Sequence, residues 1–225
     1  MNNSINEQDI KEAFVDVRRA YRMIAQLQNR LSDLVFYIRS KTKFANSDIA
    51  GTKLFSNSIG YRRSKVNNYA QLRVFQDMWS WDYLYGYMFE YYFANTKIAK
   101  KTCAMSIITV CDDGFFISNE PNKNATSLKT FEKEENSESY ILLVYGDGAS
   151  GENWMRNKET DDYIYDFLSK QEQVDIYKDR EGKTFIVKKY PMYKFYNQNQ
   201  TDEILYEFAQ IVKNEAGIQI LNEYQ

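Results

Sequence analysis

Histidine occurs nowhere in the 225 residues. Its absence removes the Ser-His-Asp and Cys-His nucleophile pairs, every imidazole general base and the His-containing zinc sites. Chemistry in this chain would have to run on carboxylates, Lys, Tyr or a metal held by oxygen. Two prolines and nine glycines are too few for a disordered or linker-like composition. Of the two cysteines, Cys103 and Cys111 share a face if one strand carries both. They then lie about 26 Å apart at ~3.3 Å per residue, beyond disulfide reach. A reduced, cytoplasmic protein is the expectation. No apolar run approaches the ~18 residues that cross a bilayer, and the opening MNNSINEQD has no apolar core, so no secretory signal is expected.

What is present is an ordinary globular composition, 44% apolar and 27% charged, with 19 tyrosines and 14 phenylalanines. The net charge of −2 is unevenly spread. Residues 1–101 hold 16 Lys/Arg against 9 Asp/Glu, and residues 102–225 hold 13 against 22. Such a split points the first part at an anionic partner, or the two parts at each other.

The densest signal is Tyr69–Phe93. Trp79, Trp81, Tyr83, Tyr85, Tyr87, Phe89, Tyr91 and Phe93 alternate without a miss, the mark of a strand with one strongly buried face. A helix competes, because Asp82, Gly86 and Glu90 would form a polar stripe at i, i+4, i+8. The reading adopted is a short helix over Tyr69–Trp79 followed by a long strand bent near Gly86. The aromatic face is read as core, each ring burying roughly 150–250 Å².

Upstream, Ser4 and Glu7 have the spacing of a capping box. From Ile10 through Phe14, Val17, Tyr21, Ile24, Gln28, Leu31 and Val35 to Ile38 the positions step by four and three. The steps predict a helix to about Lys41, roughly 50 Å at 1.5 Å per residue. Ala13, Ala20, Leu27 and Leu34 widen the seam to three positions, which suits a sheet or several helices better than a strict two-stranded coil. A homodimer through this helix is one expected partnership. Lys43–Asn68 lacks periodicity and reads as a long loop.

Downstream, Asn95–Lys101 reads as a polar turn and Thr102–Cys111 as a buried strand ended by Asp112-Asp113-Gly114, with Phe115–Ile117 continuing the hairpin. Asn119–Ser139 reads as a charged surface excursion, the first candidate for disorder. Tyr140–Tyr145 is a second buried strand. A helix follows from Thr160, then a hairpin of Val174–Tyr177 and Thr184–Lys189. Thr201 is expected to cap a last helix ending near Gly217, and Ile218–Leu221 could add a short strand. The fold expected is α+β: a mostly antiparallel sheet of about five strands against the long N-terminal helix and two C-terminal helices. Residues 1–225 form one domain: a long helix to 42, a basic loop at 43–68, and a sheet-containing core at 69–225.

Four constellations carry functional candidates. Arg39, Lys41, Lys43, Lys53, Arg62, Arg63, Lys65 and Arg73 face Asp48 alone in their window. With Tyr61 and Tyr69 interleaved, they suit a phosphate backbone and stackable bases. The anion-binding residues named from this are Arg62, Arg63, Lys65, Arg73 and Tyr61. Gly146, Gly148 and Gly151 spell G-x-G-x-x-G after a strand, but Asp147 and Glu152 place carboxylates where a pyrophosphate would sit, so a tight turn is expected. Asp112, Asp113 and Asp147 end strands and would gather around a divalent cation if those ends coincide.

The fourth is Thr160–Tyr190, where a helix, Asp175 on one strand and Lys189 on the next resemble the PD-(D/E)xK nuclease arrangement. That resemblance implies Mg²⁺ held by acids and a Lys orienting water, with Asp175 and Lys189 as catalytic candidates. The acid expected between them is Val187 or Lys188. The function expected is therefore a non-enzymatic binding module, without a cofactor, that contacts a nucleic acid or nucleotide through residues 39–73. A divergent metal-dependent nuclease or phosphodiesterase is the first alternative, and a structural or regulatory protein-interaction protein the second.

Overall fold

The computed structural model describes residues 6–54, 87–147, 158–178, 180 and 182–222. The chain divides into two units, residues 1–37 and residues 38–225.

The first unit belongs to helix α1, which runs Glu7–Lys41 as the four-and-three stepping predicts. Its start differs from expectation by two residues. Asn6 N–H donates to Asp9 Oδ2 (3.1 Å) and Asp9 N–H to Asn6 Oδ1 (3.0 Å). That reciprocal pair is a capping box with Asn6 as cap. Ser4 lies outside the described residues. Glu7 and Asp9 sit in the first turn, with Arg39 and Lys41 in the last, as the helix dipole favours.

The second unit is a six-stranded antiparallel sheet. Its strands are β1 (Ile49–Lys53), β2 (Met88–Ile98), β3 (Lys101–Val110), β4 (Tyr140–Asp147), β5 (Val174–Lys178) and β6 (Thr184–Pro191). Their order is β1-β2-β3-β4-β6-β5. The expected α+β class with an antiparallel sheet is what forms. Two helices follow in the chain, α3 (Lys158–Lys170) and α4 (Gln198–Ala216), after a short α2 at Gly114–Ile117.

Register sorts the side chains into two faces. One face carries Met88, Ile108, Val110, Leu142, Val144 and Val187, and buries them with Ile164, Phe167 and Leu168 of α3 and Phe115 and Phe116 of α2. The other carries Phe89, Phe93, Met105, Ile107, Ile141, Leu143, Tyr145 and Ile186. Lys188 on that second face bonds Glu207 of α4, and Lys178 bonds Glu215 at 2.9 Å. Thus α3 and α4 lie on opposite faces. That layering explains why all eight residues of β4 are buried, since a strand covered on both sides loses its polar alternation. The two edge strands, β1 and β5, stay largely exposed.

Several local expectations are corrected. β2 continues through Ile98, and its hairpin turns on Ala99 (φ 50°) and Lys100 (φ 72°), both left-handed as a two-residue type I′-like turn demands. Phe115–Ile117 belongs to α2 rather than to a strand, because Asp112 Oδ1 accepts the Gly114 N–H at 2.8 Å and turns the chain. Asn119–Ser139 is largely exposed but hydrogen-bonded throughout. Ser118 Oγ donates to Thr130 C=O (2.6 Å), Thr130 Oγ1 to Asn124 C=O (3.0 Å), and Phe131 packs on the core. The cap of α4 is Asn197, whose side chain accepts from Gln200 N–H at 2.9 Å; Thr201 lies a turn inside and donates to Asn197 C=O. That helix does end at Gly217, with φ 71°. Its following residues make one bridge, Leu221 with Thr42. Of the aromatic stretch, Met88–Ile98 is strand, and the helix expected at 69–79 lies outside the described residues. Phe89 packs so closely on β1 that a Cβ at Gly51 would lie 2.7 Å from its ring.

Candidate functional site

Among the described residues, a group of titratable side chains lies where β3 ends. Beyond Val110 the chain passes Cys111 and Asp112 into Asp113 and α2. Tyr87 donates its hydroxyl to Asp112 Oδ2 at 2.5 Å. Asp113 and Glu138 are joined through the backbone: Asp113 N–H donates to Glu138 C=O (3.1 Å), and Glu138 N–H to Asp113 Oδ1 (2.8 Å). Lys189 of β6 lies on the α3 face, opposite Leu142. It is 5% exposed, with its ammonium 4.5 Å from the centroid of the Tyr140 ring.

Electrostatics follow from burial. Desolvation raises the Asp113 carboxyl above its ordinary value, opposed by the Glu138 N–H and the charge of Lys189. Desolvation likewise lowers Lys189, opposed by Asp113 and Glu138. Burial, then the bond to Asp112, raises Tyr87. The backbone exchange between Asp113 and Glu138 forms a polar latch that closes residues 111–138 at the sheet end, and Lys189 acts on it only as a nearby charge. In that latch Asp113 already accepts a backbone N–H and Lys189 rests on an aromatic face. The arrangement gives structural anchoring.

The other sequence candidates fall elsewhere. Asp147 pairs in register with Cys103, while Tyr140 pairs with Val110. Asp147 is thus at the opposite end of the sheet from Asp112 and Asp113, roughly 30 Å away along the strands at ~3.4 Å per residue. There it accepts from Lys101 (2.9 Å) and from Thr184 N–H (2.7 Å). The three-aspartate cluster does not form, because antiparallel neighbours end at opposite edges. Among the described residues no group of three or more His, Cys, Asp or Glu side chains is placed to hold a metal.

Asp175 pairs with Val187, so Asp175 and Lys189 share a face on adjacent strands, one diagonal apart. Each is turned to different partners. Asp175 accepts the hydroxyl of Tyr163 from α3 at 2.6 Å, a bond that together with burial raises that phenol. The acid wanted by the nuclease arrangement falls on Val187, fully buried in the apolar cluster, or on Lys188, which bonds Glu207 on the other face.

Of the basic window, Arg62, Arg63, Lys65, Arg73 and Tyr61 lie outside the described residues. Arg39 and Lys41 do not project freely. The Arg39 guanidinium donates to Phe44 C=O (3.4 Å) and Ser47 C=O, and Lys41 pairs with Asp202 at 3.6 Å.

Sequence reading missed one buried acid. Glu90 is 1% exposed and accepts a hydrogen bond from Ser106 Oγ. Burial, then the charge of Glu90, pushes the Tyr92 phenol up to about 12. The signal lay in the alternation itself: Glu90 falls between the aromatic positions, and its pairing with Ile108 puts it on the buried α3 face beside Met88.

A further surface feature, among the described residues, belongs to the first unit. Ile10, Phe14, Val17 and Tyr21 of α1 are 47%, 58%, 45% and 67% exposed. Ile24 and Gln28 on the same seam are half-buried, and Leu31 and Val35 are buried. Asp9, Ile10, Ala13, Phe14 and Val17 line a shallow groove on that helix.

In class this is an α+β protein built on an antiparallel sheet, with no described helix long and apolar enough to cross a membrane. Residues 7–219 match a family designated PM0109, whose function is unknown, and the chain belongs to that family. No curated protein and no solved structure matches the chain.

Proposed function

We propose that the protein is a cytoplasmic, non-enzymatic interaction module that associates with itself through α1 and holds an anionic partner, a nucleic acid or nucleotide, through residues 39–73. The observation that carries the interaction reading is the α1 seam. Four large apolar side chains stand between 45% and 67% exposed in one line, and apolar lines of this kind mark association surfaces. A second copy is the occupant because it brings a seam of the same length and spacing.

The anionic partner is supported by charge. Lys43, Lys53, Arg62, Arg63, Lys65 and Arg73 remain for it once Arg39 and Lys41 are assigned to the fold. The test is fluorescence anisotropy with short labelled single- and double-stranded DNA and RNA at roughly 50 and 200 mM salt. Binding should fall steeply with salt and be lost in Arg62→Ala/Arg63→Ala. Absence of binding at the lower salt would retire the nucleic-acid partner. Mg²⁺-dependent cleavage abolished by Asp175→Ala would overturn the non-enzymatic reading in favour of a nuclease or phosphodiesterase.

A further inference from the structure

The α1 seam also states how many copies meet and in which direction; this step rests on the self-association just proposed. In heptad terms the steps of three and four place Ile10, Val17 and Ile24 at d and Phe14, Tyr21 and Gln28 at a. Ala13, Ala20 and Leu27 fall at g, and Lys11, Arg18 and Ala25 at e. A spacing alternating strictly between three and four has the 3.5-residue period of supercoiled helices rather than the 3.6 of a straight one.

Stoichiometry follows from the d and g positions. Pairs of helices favour a β-branched residue at a with Leu at d, and Ile at d beside Ile or Leu at a shifts the preference to three or four strands. The a positions here, Phe14, Tyr21 and Gln28, are of neither kind, so the d and g positions carry the argument. Here d is Ile, Val, Ile. In a pair the g position lies at the flank, where charged residues usually stand; Ala13, Ala20 and Leu27 instead extend the apolar stripe to the width a bundle buries. The groove on α1 adds shape to this. Ile10, Ala13, Phe14 and Val17 are the d, g, a and d residues around one hole, floored by the small Ala13. A Phe14 ring from another copy has the size to enter it.

Direction follows from charge. In a parallel arrangement each e residue meets a g residue of its neighbour, so Arg18 lies beside Ala13 and no like charges oppose. Running the exposed part of the helix antiparallel brings e against e, placing Arg18 opposite Arg18 or Lys11 of the other copy, which is repulsive. Gln28, the one polar residue among these core positions, would form a layer that pins the register. We propose that α1 assembles in parallel with two or three further copies of this chain, through residues 7–28, rather than as a two-stranded coil.

Sedimentation equilibrium and native mass spectrometry of the full chain should give a particle of three or four 26.7 kDa subunits. Phe14→Glu/Val17→Glu should give a monomer with an unchanged thermal unfolding transition, because both side chains are exposed. The combined variant Ile10→Leu/Val17→Leu/Ile24→Leu/Phe14→Ile/Tyr21→Ile should shift the assembly to a dimer. Pyrene on the N-terminal amine should show excimer emission in the wild-type assembly. A wild-type dimer would overturn the bundle while leaving self-association standing. Monomers at every concentration would overturn both, and an assembly without excimer emission would overturn the parallel direction.

Discussion

Residues 7–30 of α1 and strand β4 are both rich in large apolar side chains, and their fates are opposite. Along the helix segment only Val15, Ile24 and Gln28 are even half-buried, while β4 buries all eight residues from Tyr140 to Asp147. The difference lies in geometry. The helix gathers its apolar residues on one stripe and leaves the rest to water. The strand sends alternate residues to two faces, and each face has its own helix, α3 or α4. Exposure on α1 is therefore an apolar surface, the one on which the proposed self-association rests, whereas burial in β4 is the fold itself.

The largest expected effect breaks the strand side of that contrast. Leu142→Ala empties a fully buried position and should destabilise the second unit by about 2–5 kcal/mol in urea denaturation. Phe14→Ala removes a larger side chain from α1, yet should change that same transition by no more than ~0.5 kcal/mol, as surface substitutions do. A loss at Phe14 matching that at Leu142 would mean the seam is already covered within the chain.

How much of this could be read in the residues differs by range. The extent of α1, the β5–β6 hairpin and the end of α4 at Gly217 were legible because each rests on local spacing or on one left-handed glycine. Caps were harder, since Ser4/Glu7 and Asn6/Asp9 are overlapping boxes, and only the closed pair of hydrogen bonds decides for Asn6. Thr201 misled because a threonine inside the first turn can satisfy itself on a carbonyl four residues back. Long-range register was not legible. Nothing local says that Asp147 ends on the far edge from Asp113, or that Lys189 approaches Tyr140. The basic residues at 62–73 were visible as charge, which speaks to partners and not to placement.

A smaller effect sharpens the strand side. The β2–β3 hairpin holds Ala99 and Lys100 at positive φ, a conformation that L-residues with a Cβ adopt only at some expense. Ala99→Asn/Lys100→Gly supplies the favoured type I′ pair and should stabilise the sheet by roughly 1 kcal/mol. Thermal unfolding checks it, and a lower midpoint would mean that the Lys100 side chain or the Ala99 methyl makes a contact worth more than the relieved backbone.

The smallest effect is a change of slope rather than of level, and it probes the polar latch buried beside the strands. Burial raises the Asp113 carboxyl, so the folded chain holds this proton more tightly than the unfolded chain. Its contribution must then fall as pH rises from about 4, the ordinary carboxylate value, through the raised folded value, and stay level above it. Asp113→Asn keeps an oxygen to accept the Glu138 N–H and has no proton to lose. The urea midpoint of the variant relative to wild type should therefore climb between pH 4 and 7. Lys189, lowered by burial, works in the other direction: its folded form binds the proton less tightly, so stability is lost as pH falls below the ordinary lysine value. Removing the Asp113 charge withdraws a partner that holds this proton, which would cut the gain. A climb therefore says that burial of the carboxylate outweighs its attraction to Lys189. A relative midpoint that falls over the same range says that the attraction of the nearby Lys189 charge outweighs the burial of the carboxylate.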